Sequence, residues 1–280
     1  MRIINSQDIV SAVRDMCISA NCHLNGDIRR ALENSVKTEE SDVSRGVLEN
    51  LLKNADIAHN KEIPICQDTG MAVFFIEIGN EVFIKGDTVN EAVNKGVALG
   101  YTEGYLRKSV VRDPLDRVNT DDNTPAVIYF DFVRGDKIKI TFAPKGFGSE
   151  NKGGIRMLNP SDGIDGVIDF TVETVRKAGA NPCPPMVVGI GIGGTMDKAA
   201  VLSKKALTRD IEIRNENPFY ADLEKKLLEK INKLGIGPQG MGGTTTALSV
   251  NIETFPTHIA GLPVAVNINC HATRHAVKII

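Results

Sequence analysis

Apolar positions Ile9, Val10, Val13, Met16 and Cys17 recur at the three-and-four spacing of one helix face, behind Ser6 as a candidate cap. Asn25-Gly26 breaks that pattern, and Ser41 opens another with Val43, Val47, Leu48, Leu51, Leu52 and Ala55 on one side. Residues 1–60 are therefore expected to form a helical N-terminal subregion. At Ile63-Pro64 the period changes, and residues 72–78 (Ala-Val-Phe-Phe-Ile-Glu-Ile) have the continuous apolar character of a mostly buried strand. Thr88-Val-Asn-Glu91 is a capping box, in which hydroxyl and carboxylate each satisfy an amide of the first turn, and it predicts a helix to about residue 107. Strand patterns at 126–132 and 137–143 flank Arg134-Gly135-Asp136 and predict a hairpin.

A helix over about 163–178 should end at Gly179. A short apolar strand is expected at 186–192, followed by a helix from Thr195 to about 208. Asn217-Pro218 opens another helix that should stop at Gly235, and strands are expected at 246–252 and 263–269. The resulting class is α/β (mixed α+β), with mixed sheets flanked by helices, in one domain over residues 1–280.

Composition narrows the function. Thirty-three basic and thirty-five acidic residues leave a net charge of −2, without the basic footprint of a nucleic-acid binder. No apolar run reaches the length of a membrane helix, and the N-terminus turns polar at once, so the expected location is cytoplasmic, with no membrane or nucleic-acid partner. Five widely spaced cysteines do not form a disulfide framework.

Gly189-Ile-Gly-Ile-Gly-Gly194 fits the glycine pattern of a dinucleotide-binding turn, with Asp210 and Glu212 near the distance of a ribose carboxylate. The alternative is a tight turn that binds no dinucleotide. Cys66, Cys183 and Cys270 each sit in a polar or proline-rich turn beside an apolar strand, whereas Cys17 lies on a helix face and is taken, with Cys22, as structural. Three thiolates from separate loops can hold a [4Fe–4S] cluster and leave one iron open as a Lewis acid, or they can be three inert thiols. Asp68 can be a proton-transfer group or a turn residue, and His258 an acid, a base or a surface side chain.

Four ordered motifs carry a resemblance across most of the chain: Cys66-Gln-Asp-Thr-Gly70, Lys145-Gly-Phe-Gly-Ser149, Cys183-Pro-Pro-Met-Val-Val-Gly with Gly193-Gly194-Thr195, and Cys270-His-Ala-Thr-Arg274. The chain resembles the α subunit of class I (iron–sulfur) fumarate hydratases and the related L(+)-tartrate dehydratases. The resemblance implies Cys66, Cys183 and Cys270 as ligands of a [4Fe–4S] cluster with one iron lacking a protein ligand. It implies Gln67, Asp68, Arg107 and Gly148 as substrate contacts, and Asp68 and His258 as catalytic groups. Some relatives carry a second catalytic domain beyond the Cys270 motif. This chain ends ten residues after Cys270, so the resemblance implies a β subunit that completes the site, in an α2β2 assembly. The implied reaction is reversible hydration of fumarate to (S)-malate. Dehydration of L(+)-tartrate is one alternative, and a non-catalytic nucleotide-binding or iron–sulfur sensor module is another.

Overall fold

The computed structural model describes residues 1–280, which divide into two compact units. Residues 1–24, 55–147 and 274–280 make the first, and residues 25–54 and 148–273 make the second. The class is mixed α/β, as the pattern predicts. No helix is long and apolar enough to cross a membrane.

The first unit begins with a strand that the pattern did not announce, β1 (Arg2–Asn5). Helix α1 (Ser6–Cys22) follows, and its cap is Asn5 rather than Ser6: the Asn5 side chain accepts from the Gln7 N–H at 2.9 Å. The Ser6 hydroxyl instead accepts from Asp87 N–H at 3.0 Å. Helix α2 (Gly26–Thr38) and most of α3 (Asp42–Lys61) belong to the second unit, while α3 from Ala55 onward belongs to the first. In the first unit β2 (Met71–Gly79) and β3 (Val82–Lys85) precede α4 (Val89–Glu103), which carries the expected Thr88–Glu91 capping box. Strands β4 (Val127–Val133) and β5 (Ile138–Lys145) come next.

Strands β4 and β5 do not form the predicted hairpin. β2 lies between them, parallel to β4 and antiparallel to β5, and the C-terminal strand β10 (Ala276–Ile279) pairs with the far side of β5. The reason is in β2 itself. It is apolar on both faces and needs a ladder on both edges, so it takes the centre of the sheet. β1 and β3 make a separate parallel pair. Helices α1 and α4 cover the sheet and pack against each other, with Ile9, Val13 and Cys17 meeting Val93, Val97 and Tyr101 over Phe74, Ile140 and Phe142. A Cβ at Gly96 or Gly100 would stand 2.6 Å from Val13 Cβ or 2.7 Å from Cys17 Cβ, so the close crossing of these helices requires glycine.

In the second unit α5 (Phe147–Glu150) is a single turn, of which Gly148 onward belongs here. Strand β6 (Gly154–Leu158), helix α6 (Gly163–Ala178) and strand β7 (Met186–Gly193) follow, then helices α7 (Met196–Ala206) and α8 (Pro218–Asn232). Strands β8 (Ala247–Phe255) and β9 (Leu262–Asn269) complete a sheet in the order β6-β9-β7-β8, with only β7 and β8 parallel. Alternate β7 residues Val188, Ile190 and Ile192 face a core with Val167, Phe170, Leu223 and Leu227 of α6 and α8.

The opposite face of β7 carries Gly189 and Gly191, and it meets α7. A Cβ at these positions would lie 2.2 Å from Ser203 O and 2.0 Å from Ala199 O. The glycine pattern that suggested a dinucleotide turn is thus used inside a buried strand, to let a helix backbone lie against it. The candidate ribose carboxylates are also engaged elsewhere. Glu212 is paired with Arg30 through two bonds of 2.7 and 2.6 Å, which hold its pKa below the usual value. Asp210 accepts from the Glu212 N–H.

Candidate active site

In the first unit the chain between α3 and β2 forms a loop whose base is pinned by an Ile65 N–H bond to Asn21 O at 2.9 Å. Cys66 follows, half-buried, its thiol 3.3 Å from Gln67 Oε1. Gln67 is exposed and Asp68 half-buried. Both oxygens of Asp68 are occupied: Oδ1 accepts from Gly70 N–H and Oδ2 from Phe147 N–H, each at 3.0 Å. The first bond is the local turn that an Asp-Thr-Gly sequence favours. The second ties this loop to the Lys145-Gly-Phe motif, so two of the sequence motifs meet at one carboxylate. The Asp68 carbonyl in turn accepts from the Arg274 guanidinium at 2.7 Å, which brings in the last motif.

Arg107 is exposed, and its backbone is fixed against the same loop. Its N–H donates to Thr69 Oγ1 at 2.9 Å, and Thr69 Oγ1 donates to its carbonyl at 3.3 Å. The fully buried Tyr101 hydroxyl lies 2.8 Å from Thr69 O and 3.1 Å from Gly70 O, and the phenol is held neutral to high pH chiefly by burial. Asn123, also fully buried, donates to Gly70 O at 3.2 Å and accepts from Ser109 N–H at 2.7 Å. Thr69, Tyr101 and Asn123 form a buried bracket that presents Gln67, Asp68 and Arg107. None of the three was a candidate from the sequence, because the bonds that tie Tyr101, Asn123 and Arg107 to Thr69 and Gly70 link positions more than thirty residues apart.

In the second unit Cys183 and Cys270 lie at one end of the sheet. Cys183 precedes β7 and Cys270 follows β9, antiparallel neighbours whose last pair at this end is Val187↔Asn269. Cys183 is exposed at φ 54°, a left-handed conformation unusual for a residue with a side chain, and its carbonyl accepts from the His271 N–H at 3.1 Å. Cys270 is half-buried, and its carbonyl accepts from the Thr273 hydroxyl at 2.8 Å. Gly148 is exposed, and a Cβ there would meet nothing within 4 Å, so its own chain leaves that backbone open. Just beyond it Glu150 is bonded to Lys204 and accepts from Asn267 Nδ2 at 3.1 Å, which fastens the α5 turn to α7 and β9.

His258 is placed differently. It lies before β9, whereas Cys270 lies after it, and eight residues at about 3.4 Å each separate the two ends by about 25 Å. There it lines an apolar cavity of about 380 Å³ with Ile164, Val167, Phe219, Leu223 and Leu262. Within its own unit, His258 is not brought to the cysteines.

A family model described as fumarate hydratase (fumerase) matches residues 10–278. The chain belongs to this family. As a family member it is a hydro-lyase. A Methanocaldococcus jannaschii protein, provisionally named as an L(+)-tartrate dehydratase subunit alpha, is 44% identical over 279 residues, covering 96% of each chain. The L(+)-tartrate dehydratase subunit alpha of Escherichia coli O157:H7 is 33% identical over 91% of this chain and 84% of its own. That of Escherichia coli strain UTI89 is 34% identical over 89% and 82%.

The cysteines of this fumarate hydratase family member separate into two kinds. Cys17 and Cys22 are buried, and burial raises the pKa of both thiols, that of Cys17 by far the more. Cys66, Cys183 and Cys270 are not buried, and each stands in a loop at a strand end. Soft thiols that solvent can reach fit an iron–sulfur donor set, and buried thiols held protonated do not. Neither unit by itself gathers three His, Cys, Asp or Glu side chains into a metal-binding group.

Proposed function

We propose that this chain is the α subunit of an L(+)-tartrate dehydratase, which removes water from the dihydroxy acid to give oxaloacetate. The observation that carries the reading is 44% identity over nearly the full length to a relative of that name, with further tartrate dehydratase α subunits above 30%. These relatives favour tartrate over the fumarate expected from the motifs. The fumarate reading keeps the support of the family description alone.

In this proposal Cys66, Cys183 and Cys270 hold a [4Fe–4S] cluster, which when bound supplies an open iron as Lewis acid for a substrate hydroxyl and carboxylate. The chain's own residues do the rest. Arg107 offers an exposed guanidinium to a substrate carboxylate, on a backbone that the Thr69 bracket immobilises. Such charge is most useful where negative charge builds up on that carboxylate as the neighbouring C–H proton leaves. Gly148 offers an exposed stretch of main chain with open space where a side chain would stand. Gln67 offers an amide beside the first thiol. Asp68 moves a proton at one carboxylate oxygen, giving up one of its two main-chain bonds as it does so. His258, a strand length from Cys270, has no part assigned to it in this chain's own site.

The subunit alpha names of the relatives support a companion β chain; that this chain completes the site, in an α2β2 assembly in the cytoplasm, is part of the proposal and rests on the motif resemblance. The test is to prepare this chain anaerobically with its β companion and to measure kcat/KM on L(+)-tartrate and on (S)-malate. The expected result is preference for tartrate by the pair and no turnover by the α chain alone. Preference for malate would establish the fumarate hydratase reading instead, and full activity of the α chain alone would remove the β subunit from the site.

A further inference from the structure

Strand pairing between β7 and β9 ends at Val187↔Asn269, and both cysteines of the second unit lie beyond that last pair. Something other than the ladder must set the distance between their loops. The Cys183 carbonyl joins them directly, at 3.1 Å from the His271 N–H and 3.1 Å from the His271 ring Nδ1. The other link passes through Gln239. This residue sits in the one-turn helix Pro238–Gly240 with φ 52° and ψ 19°, a left-handed conformation that costs free energy for a residue with a side chain. From there its N–H and its Nε2 each lie 2.8 Å from the Pro184 carbonyl, and Nε2 also lies 3.1 Å from His271 Nδ1. A carbonyl can only accept, so the nitrogen end of the amide must face Pro184. Its second hydrogen is directed at His271 Nδ1, and that ring nitrogen also lies 3.1 Å from the Cys183 carbonyl, so the imidazole stands between Gln239 and the Cys183 loop. A single side chain thus holds the residue after Cys183 and the residue after Cys270.

We infer that Gln239 and His271 are positioning residues that hold the Cys183 and Cys270 thiols in one relative placement before any metal group arrives. This deepens the proposed function and rests on its assignment of these two thiols as ligands of one group. Outer groups that orient metal ligands typically contribute about ten- to a hundred-fold in metal affinity.

The test uses Cd²⁺ alone as the probe, on the reduced, metal-free full chain carrying Cys66→Ser, with thiolate-to-cadmium absorption in the near ultraviolet as the signal. Cys17 and Cys22 are buried and stay silent. The expected result is one Cd²⁺ bound by two thiolates, with affinity lowered about ten- to a hundred-fold by Gln239→Leu and by His271→Leu. The thermal melt of the metal-free chain should change little. His271→Asn keeps an acceptor for the amide and should recover much of the affinity. If Gln239→Leu does not fold, the two His271 variants decide. Unchanged affinity in the leucine variants, equal loss in His271→Leu and His271→Asn, or no two-thiolate Cd²⁺ site in the parent would each overturn the inference. Iron and sulfide uptake by the unmutated chain is measured separately. A chain that takes up neither, yet shows the expected Cd²⁺ series, removes the cluster from the proposed function and leaves the bracket standing.

Discussion

Both oxygens of Asp68 accept main-chain hydrogen bonds, from Gly70 and from Phe147, and this alters what its amide variant should do. In Asp68→Asn one oxygen becomes an NH₂ that faces an N–H donor. One bond is lost and two donors oppose each other, at a cost of about 1–3 kcal/mol. A proton-transfer role adds a separate effect, a fall in kcat of about a hundred-fold or more. The expected outcome is therefore a lower melting temperature together with a collapsed kcat and unchanged iron content, read by thermal melt, steady-state kinetics and iron assay on one preparation. A lower melting temperature with near-normal kcat would leave Asp68 as a loop clasp only. At this scale the sequence was informative about which residues face outward from the loops and silent about what holds them. Cys66, Gln67, Asp68 and Arg107 stand out by type and motif. Tyr101 reaches Thr69 across 32 positions, Arg107 reaches it across 38, and Gln239 reaches Pro184 across 55. Such partners carry no local pattern: Tyr101 looks like any apolar helix residue, and Gln239 like any loop polar residue among glycines.

Most elements were legible because burial imposes a period on the chain, and the exceptions have physical causes. β1 is four residues long and only Ile4 is buried, so it shows no alternation. The 126–143 segment was taken for a hairpin because two strand patterns flank a turn-forming triplet. Local sequence cannot show that an earlier strand, apolar on both faces, will enter between them. The glycines of β7 were open to two readings, and the approach of α7 decides between them. Helix α4 offers a test of this kind of packing. Alanine exceeds glycine in helix propensity by about 1 kcal/mol, so Gly100→Ala would stabilise an isolated α4. In the folded chain the new methyl would stand 2.7 Å from Cys17 Cβ and 2.9 Å from Arg14 O. Overpacking of this sort costs about 1–3 kcal/mol and should outweigh the propensity gain. The expected outcome in chemical denaturation is net destabilisation. A more stable Gly100→Ala chain would show that α1 and α4 can separate freely.

At the scale of the whole chain, the division into two units cuts across the sequence at four places, and it was not legible. The chain enters and leaves each unit through ordinary helices and loops, with no linker-like composition to mark the passage. The proposed cluster ligands are divided in the same way, Cys66 in the first unit and Cys183 and Cys270 in the second. If all three hold one group, each is needed irrespective of the unit that carries it. Cys66→Ser, Cys183→Ser and Cys270→Ser should then each abolish stable iron and sulfide binding while leaving the metal-free fold close to its original stability, because none of the three thiols is buried in a core. The two remaining cysteines should show the reverse. Cys17 is fully buried against α4, and a serine hydroxyl without a partner there costs about 1–3 kcal/mol. Cys17→Ser should lower the melting temperature and keep its iron, and Cys22→Ser should do so too. Anaerobic reconstitution followed by iron and sulfide assay and a thermal melt on all five variants separates the two classes. Iron lost in proportion to stability across all five would mean that the thiols serve only the fold, and iron retained by any one of the first three would strike that residue from the ligand set.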